Sequence, residues 1–596
     1  MNALALAGAT LATGVLLLPG WVLARKCGLK QPGVAGLVFG AVVLHAFALA
    51  LDALGLGLTR LTVGAAWMVL IGAVLAIPSA RYSEATPTEK PLWRAHWPLL
   101  LPLIPAVAVV LWRAIAQPLS GLDTIFRWNW LAELIFTHGT LAFYPPTTPA
   151  DFALYGWPDG ISPVVSLLYF WNYAWLGTTN PVATAPVVVA QFAAIVALTF
   201  ALARRTSDRA GMFAVALLVC SPVVLWATAM GQETGLTAIA LGAMLLWLPQ
   251  ARSTESPPAI VAAGLAAALG GLAREYGLAW AALGVALAFA RGLSLRAILL
   301  FAGAAALGAL PWYARNAALT GNPFFNLDLA GLFPLNDVHA SLMTEYTREY
   351  GLGHLPPNAL ALLLAHCLAG IVAAIAGPWV GGKRAAPLLI AAALVALLWV
   401  ASLPYTAAGF VGSLRVLNPA LVCAAVLGGI ALARWIPERR HLAGASLGLL
   451  LFAIDAALRG LALPAHVYRH PPATWPHLGG AVHAYHADPL FKEFARVTAG
   501  RRVLVLGPDA LLTRLGMRCV PLWSPEVDFV FDPSIDGRSF LQRLHDTEIG
   551  FVLLKRAPVN ERFIARSAPL NARHELLRLV WLDPEHELFV VPPVLP

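Results

Sequence analysis

Long apolar runs separated by short polar joints dominate the chain. The runs are 2–24, 33–58, 61–78, 97–117, 182–203, 210–229, 235–249, 259–273, 277–290, 295–311, 357–380, 385–402, 412–433 and 442–463. A helix needs about 20 apolar residues to cross a bilayer, so the pattern predicts a polytopic all-α membrane protein with about 14 spans. The first run has no basic residue ahead of it and is long for the core of a cleaved leader, so it reads as a helix that stays. The pattern changes at residue 464. The tail 464–596 has ordinary polarity and many charges. Its strand-like runs are Arg502–Leu506, Phe551–Leu554 and Leu588–Val591, with helix-like Asp488–Val497 and Ser539–His545 between them. It reads as a small α/β domain. Four parts follow: helices in 1–78, a polar linker 79–96, a helical membrane domain 97–463 with long loops 118–181 and 312–356, and the tail domain.

Composition agrees. Hydrophobic residues make up 59% and charged residues 12% of the 596 positions. No water-soluble fold hides that much apolar surface, and no disordered chain carries it. The net charge of +9 comes from short basic clusters between apolar runs. There is no basic stripe or recognition motif, which argues against nucleic acid as a partner. The five cysteines form no close pair and no zinc-type spacing.

The basic clusters also set orientation. Arg25/Lys26, Arg81–Arg94, Arg204/Arg205/Arg209, Arg291/Arg296, Lys383/Arg384 and Arg434–Arg440 all fall on one side, which the positive-inside rule makes cytoplasmic. This holds if 161–177 does not cross. That run then reads as a helix on the outer membrane surface, anchored by Tyr169, Trp171, Tyr173 and Trp175. The long loops and the tail domain gather on the extracytoplasmic side.

Candidate chemistry collects on that side. The first long loop reads Gly121-Leu-Asp123-Thr-Ile-Phe-Arg127-Trp-Asn-Trp-Leu-Ala-Glu133, then His138-Gly-Thr-Leu-Ala-Phe-Tyr144-Pro-Pro. Asp123 follows a span by a few residues. Arg127 lies four positions on, so spacing alone makes the two a helical ion pair at the interface. Short joints between spans carry Gly231-Gln232-Glu233-Thr234 and Arg274-Glu275-Tyr276. Ionisable residues at such depth are costly and mark function, though Arg274 and Glu275 serve equally as partners for other helices. Farther along stand Pro311-Trp-Tyr-Ala-Arg315-Asn316 and Leu414-Arg415-Val-Leu-Asn-Pro419. Both arginines suit either a phosphate contact or snorkelling to the interface. His45 and Asp52 are seven residues apart on one helical face, as a proton relay or, more simply, a polar contact between helices.

The order of these features resembles the GT-C glycosyltransferases, including protein O-mannosyltransferases and the aminoarabinose transferases that modify lipid A. The shared features are a span, then Asp123, an Arg-aromatic pair, Ala-Glu133, a Gly-containing turn ending in Pro, the helix 161–177, and the segments around Arg204/Arg205, Arg315 and Arg415. The resemblance covers roughly 97–463. It implies an inverting transferase that takes a sugar from a polyprenyl-phosphate donor and gives it to a cell-envelope acceptor at the outer face of a bacterial inner membrane. It implies Asp123 as the catalytic base. Arg127, Asp159, Glu233, Arg274, Glu275, Arg315, Asn316 and Arg415 are then substrate-binding candidates. A divalent cation (Mg or Mn) is compatible with the resemblance but not required by these residues, and no metal ligand is assigned. The chain departs from many relatives at Thr124, where they carry Glu, and before the helix at 161–177, where some carry Lys-Pro-Pro. Its first three helices are additional to the simplest members.

Two other readings fit parts of the sequence. A lipid-linked glycan transporter needs ionisable residues at mid-membrane and repeated halves, with His45 and Asp52 as its centre. A non-catalytic envelope assembly protein would leave Asp123 replaceable.

Overall fold

The computed structural model describes residues 3–78, 97–116, 118–119, 124–142, 160–254, 256–325, 331–335, 352–380, 385–405, 409–438, 440–467, 500–505, 518–521, 525–532, 534–555, 574–582 and 586–593, with isolated positions between them. Asp123, Asp159 and most of the helix expected at Asp488–Val497 lie outside these residues.

The described membrane part is helical throughout. Its main helices are α1 (Ala3–Lys26), α2 (Pro32–Ala53), α3 (Arg60–Ala76), α4 (Leu103–Ala116), α5 (Trp130–His138), α6 (Val164–Leu176), α7 (Ala185–Arg204), α8 (Asp208–Val219), α9 (Pro222–Ala229) and α10 (Glu233–Thr254). They continue with α11 (Pro257–Ala273), α12 (Leu278–Ala290), α13 (Leu295–Thr320), α14 (Ala359–His366), α15 (Leu368–Val380), α16 (Ala386–Ser402), α17 (Asn418–Trp435) and α18 (Arg440–Val467). Among the described residues, seven helices are long and apolar enough to cross a bilayer alone. Two further pairs qualify together but are bent, by 73° between α8 and α9 and by 91° between α14 and α15. Six shorter apolar helices complete the set. The chain is a multi-pass membrane protein.

Local chemistry sets the helix ends. The Ser207 and Ser294 side chains accept the Ala210 and Ala297 amides at the starts of α8 and α13. Pro32, Pro222 and Pro257 open α2, α9 and α11, where the missing amide leaves no bond unmade. Lys26 at the end of α1 donates to the last carbonyls of α3, at 2.7 Å to Leu75 and 2.6 Å to Ile77. Small residues bring helices together, as in membranes generally. A Cβ on Gly36 or Gly40 of α2 would meet the carbonyls of Leu17 and Leu16 in α1 at 2.8 and 2.9 Å.

One expectation changes. Helix α6 is not a surface helix resting on its aromatic residues. Val164 through Ala174 are all buried, against α1, α2 and α5. Tyr169, Trp171 and Tyr173 turn their polar tips to protein: Tyr169 donates to the Gly231 carbonyl, Trp171 to Ala12 at 2.7 Å and Tyr173 to Asn129 at 2.5 Å. Only Trp175 of the four is exposed. An aromatic ring with one polar atom suits an interface and a buried polar contact equally well, and the tertiary partners decide between them.

The tail domain is a five-stranded sheet with one helix. Its strands are β1 (Arg502–Val505), β2 (Arg518–Pro521), β3 (Ile549–Lys555), β4 (Arg578–Leu582) and β5 (His586–Val590), in the order β2-β1-β3-β5-β4. β1 runs parallel to β2 and β3, while β5 is antiparallel to β3 and β4. The helix α19 (Gly537–Asp546) packs Phe540 and Leu544 on the face formed by Leu504, Val520, Val552 and Leu554. Val503, Val505, Phe551 and Leu553 point to the other face, the period-two alternation of a sheet. β2 and β4 escaped the sequence reading. The first is four residues ending in proline, and the second is largely exposed on both faces.

Candidate active site

Two polar clusters are built at the end of the bundle where the long loops meet it. The first centres on the joint between α9 and α10. Gly231 turns the chain with φ +68°, a left-handed geometry that favours glycine, and the Tyr169 hydroxyl packs against it. The turn presents Gln232 and Glu233, 1% and 4% exposed. Gln232 donates to the Thr124 hydroxyl at 2.9 Å, and Thr124 donates to the Met230 carbonyl at 2.9 Å. From the other side Arg415 donates to the Gln232 amide oxygen at 2.6 Å. Arg274 approaches Glu233 at 3.9 Å. Tyr276 lies within electrostatic reach of Glu233, Arg274 and Arg415. Asn418, at the start of α17, donates to the Thr234 carbonyl at 3.4 Å.

Thr124 opens a wide π-helical turn, Thr124–Asn129, that leads into α5. Such turns cost regular hydrogen bonding and cluster at functional positions. This one is braced by Tyr173, whose hydroxyl bonds the Asn129 carbonyl group of the side chain, while the Asn129 amide donates to Glu133 at 2.7 Å. The Arg127 guanidinium lies 5.9 Å from the Trp128 ring centre, in the range of a cation–π contact. Asp123 directly precedes Thr124 in sequence.

The second cluster lies around the end of α13. Arg315 donates to the Leu141 carbonyl at 3.0 Å and stands 5.5 Å from the Trp312 ring centre. Asp52, at the end of α2, accepts the Leu141 amide at 2.9 Å and the Thr140 hydroxyl at 2.7 Å. His45 meets Trp312 edge-on. Asn316 is fully buried and donates to the carbonyls of Gly160 (3.2 Å) and Pro323 (3.3 Å), with Trp312 also donating to Gly160. Asn322 then organises the following turn, accepting the Phe324 amide and donating to Pro334. Glu275 lies within electrostatic reach of Tyr313, whose hydroxyl donates to Gly271.

The sequence candidates therefore divide. Glu233, Arg274 and Arg415 gather with the residue that follows Asp123. Arg315 and Asn316 belong to the second cluster, where their described bonds go to backbone carbonyls of the first long loop. The sequence marked none of Thr124, Gln232, Asn129, Tyr173 and Trp312 as a site candidate, because they are neutral and carry no charge signal. The polar run Gly231–Thr234 between two apolar helices was the available pointer to Gln232. Among the described residues no three His, Cys, Asp or Glu side chains converge, and Glu233 faces a guanidinium.

The fold is that of the GT-C glycosyltransferases. ArnT from Cupriavidus metallidurans, in a structure with undecaprenyl phosphate bound, aligns over 83% of this chain and 98% of its own, with a TM-score of 0.50 and 13% identity. Its apo structure aligns equally well at 14% identity. The archaeal oligosaccharyltransferase AglB from Archaeoglobus fulgidus aligns over 82% of this chain and 73% of its own, with a TM-score of 0.45 and 13% identity. No family model and no curated protein sequence matches the chain.

Proposed function

We propose that this protein is a membrane-embedded inverting glycosyltransferase. It moves a sugar from a polyprenyl-phosphate donor to a cell-envelope acceptor at the extracytoplasmic face of a bacterial inner membrane. The observation that carries this reading is the bonded chain from Thr124 through Gln232 to Arg415, with Glu233 and Arg274 beside it. It brings the residue after Asp123 to a joint lined by two guanidinium groups.

Transfer needs a base for the acceptor hydroxyl and positive charge for the departing phosphate. Asp123 takes the acceptor proton as the acceptor oxygen bonds the anomeric carbon. The bond from that carbon to the phosphate oxygen breaks, and its electron pair leaves with the phosphate. Arg415 and Arg274 face the developing charge, since a guanidinium matches phosphate oxygens with several donors at once. Glu233 lies beside them in the polar wall, and Arg127, Asp159 and Glu275 are the proposed sugar contacts. Arg315 and Asn316 hold the loop that frames the site. No step is routed through a metal.

The transporter reading loses its centre. Asp52 is bonded to Thr140 and Leu141, and His45 packs on Trp312, so the two form part of the loop's support.

The test is sugar transfer by purified protein in detergent, with a panel of radiolabelled polyprenyl-phosphate sugars and membrane lipid extract. Wild type transfers label, and a folded Asp123→Asn variant loses about 10²- to 10⁴-fold in rate. Transfer that survives this substitution overturns the assignment of the base. Label that stays lipid-linked but changes sides of a reconstituted vesicle overturns the enzyme reading in favour of transport.

A further inference from the structure

The N-terminal helices pack along several later helices, α6, α7, α11 and α13 among them, and also meet the rest of the molecule at one small turn. Residues Gly139–Leu141 follow α5 and are gripped from several parts of the chain. From the segment after α2, the Leu58 amide donates to the Gly139 carbonyl at 2.6 Å. From the end of α2, one carboxylate oxygen of Asp52 accepts both the Leu141 amide and the Thr140 hydroxyl. From α13, Arg315 donates to the carbonyl of the same Leu141. Asp52 and Arg315 thus hold Leu141 by its amide and its carbonyl, and they lie within electrostatic reach of each other. Leu141 is fully buried beneath them. From the tail domain, Glu526 approaches His138 at 3.4 Å, one residue before the turn.

The turn is the far end of α5, whose near end is the wide turn Thr124–Asn129. A nine-residue helix transmits a shift of one end to the other, because its hydrogen-bonded backbone does not stretch. The N-terminal helices cannot slip independently either. α1 packs on α6, and Trp171 and Asn172 of α6 bond Ala12 and Thr13 of α1.

We infer that the N-terminal helical unit is a positioning element of the active site, and that Asp52 is its positioning residue, setting the placement of α5 and the Thr124 turn by clamping Leu141 against Arg315. This rests on the reading of Asp123 as the base. Asp52 touches no reacting atom. It acts through Leu141 and α5.

The charge and the geometry of Asp52 separate cleanly. Both described bonds end on one oxygen, so Asp52→Asn keeps an acceptor in place, whereas Asp52→Ala removes it. Three readouts are taken on the full-length protein in detergent: amide exchange at residues 139–142 by mass spectrometry, kcat and KM for transfer, and the thermal midpoint. In Asp52→Ala, exchange at Leu141 accelerates on the order of tenfold while that of α8 and α17 is unchanged. kcat falls by roughly 10²-fold with little change in KM, the signature of a misplaced catalytic group. Asp52→Asn restores most of both. Unchanged exchange at Leu141 in Asp52→Ala overturns the clamp. Faster exchange with unchanged kcat overturns its role in positioning. A parallel fall of kcat and thermal midpoint that Asp52→Asn does not rescue reduces Asp52 to a stabilising contact, which also overturns it. None of these outcomes depends on Asp123. If Asp123→Asn keeps wild-type transfer, the base is wrong, and the exchange result at Leu141 still stands or falls separately.

Discussion

Arg415 and Arg315 look alike in the sequence. Each sits near the end of a candidate span, close to an Asn, at the same end of the bundle. Their surroundings differ. Arg415 reaches a side chain, Gln232, in a joint where Glu233, Arg274 and Tyr276 also converge. Arg315 reaches a backbone carbonyl and stacks near Trp312, opposite Asp52. The first region is a wall of side chains whose donors can turn to a ligand. The second is a brace whose bonds hold chain to chain. An arginine's position relative to a span does not tell these apart, because the guanidinium has five donors and suits both roles.

The sharpest way to test this contrast is conservative substitution. Arg415→Lys leaves a charge but loses the planar fork, and we expect a loss of about 10²- to 10³-fold in kcat, as for removal of one transition-state donor. Arg315→Lys retains a donor for a single carbonyl, and kcat is expected to stay within roughly tenfold of wild type. The comparison breaks if the two variants fall equally in the transfer assay.

A smaller effect tests the joint itself. Gly231→Ala places a Cβ in a left-handed conformation and against the Tyr169 hydroxyl and the Val188 methyl. The strain costs on the order of 1–3 kcal/mol, read as a lower thermal midpoint in detergent. Gly292→Ala, which has a similar φ of +70° but open space around it, serves as the control and should lose less.

The smallest effect lies in the tail domain. Asp536 caps α19, accepting the Ser539 amide at 2.9 Å and the Ser539 hydroxyl at 2.6 Å. These bonds hold its carboxyl below the ordinary aspartate range. A carboxyl depressed in the folded state contributes stability above its unfolded value and loses it as pH falls through the folded one. Amide exchange of Gly537–Asp546 should therefore rise on acidification below the ordinary aspartate range, and Asp536→Asn should flatten that dependence.

Much of the fold was legible because membrane helices announce themselves. Runs such as 33–58 and 182–203 are apolar over the length of a span, and the structure has helices Pro32–Ala53 and Ala185–Arg204 there. Asp455 and Arg459, four positions apart on α18, pair at 2.8 Å, as that spacing on a helix favours. The burial of α6 was not legible. Lipid and protein interior are both apolar, so hydrophobicity by itself does not say which a helix faces. The short strands β2 and β4 failed for the opposite reason, since four or five residues hold too little pattern to read.

The amino-acid sequence by itself determined that this chain lives in a membrane, where most of its apolar helices fall, and that acidic and basic residues collect at their joints, but not the breaks of 73° and 91° within the runs 210–229 and 357–380. Those properties depend on runs of neighbouring residues and on the cost of burying charge. Only the tertiary structure decided which joints meet. Thr124 and Gln232 are 108 positions apart and Gln232 and Arg415 are 183 apart. Asp52 is 89 positions from the Leu141 it clamps. Such contacts are set by how helices pack, through glycines that let backbones approach and buried polar atoms that must find partners, and neither leaves a periodic signal along the chain.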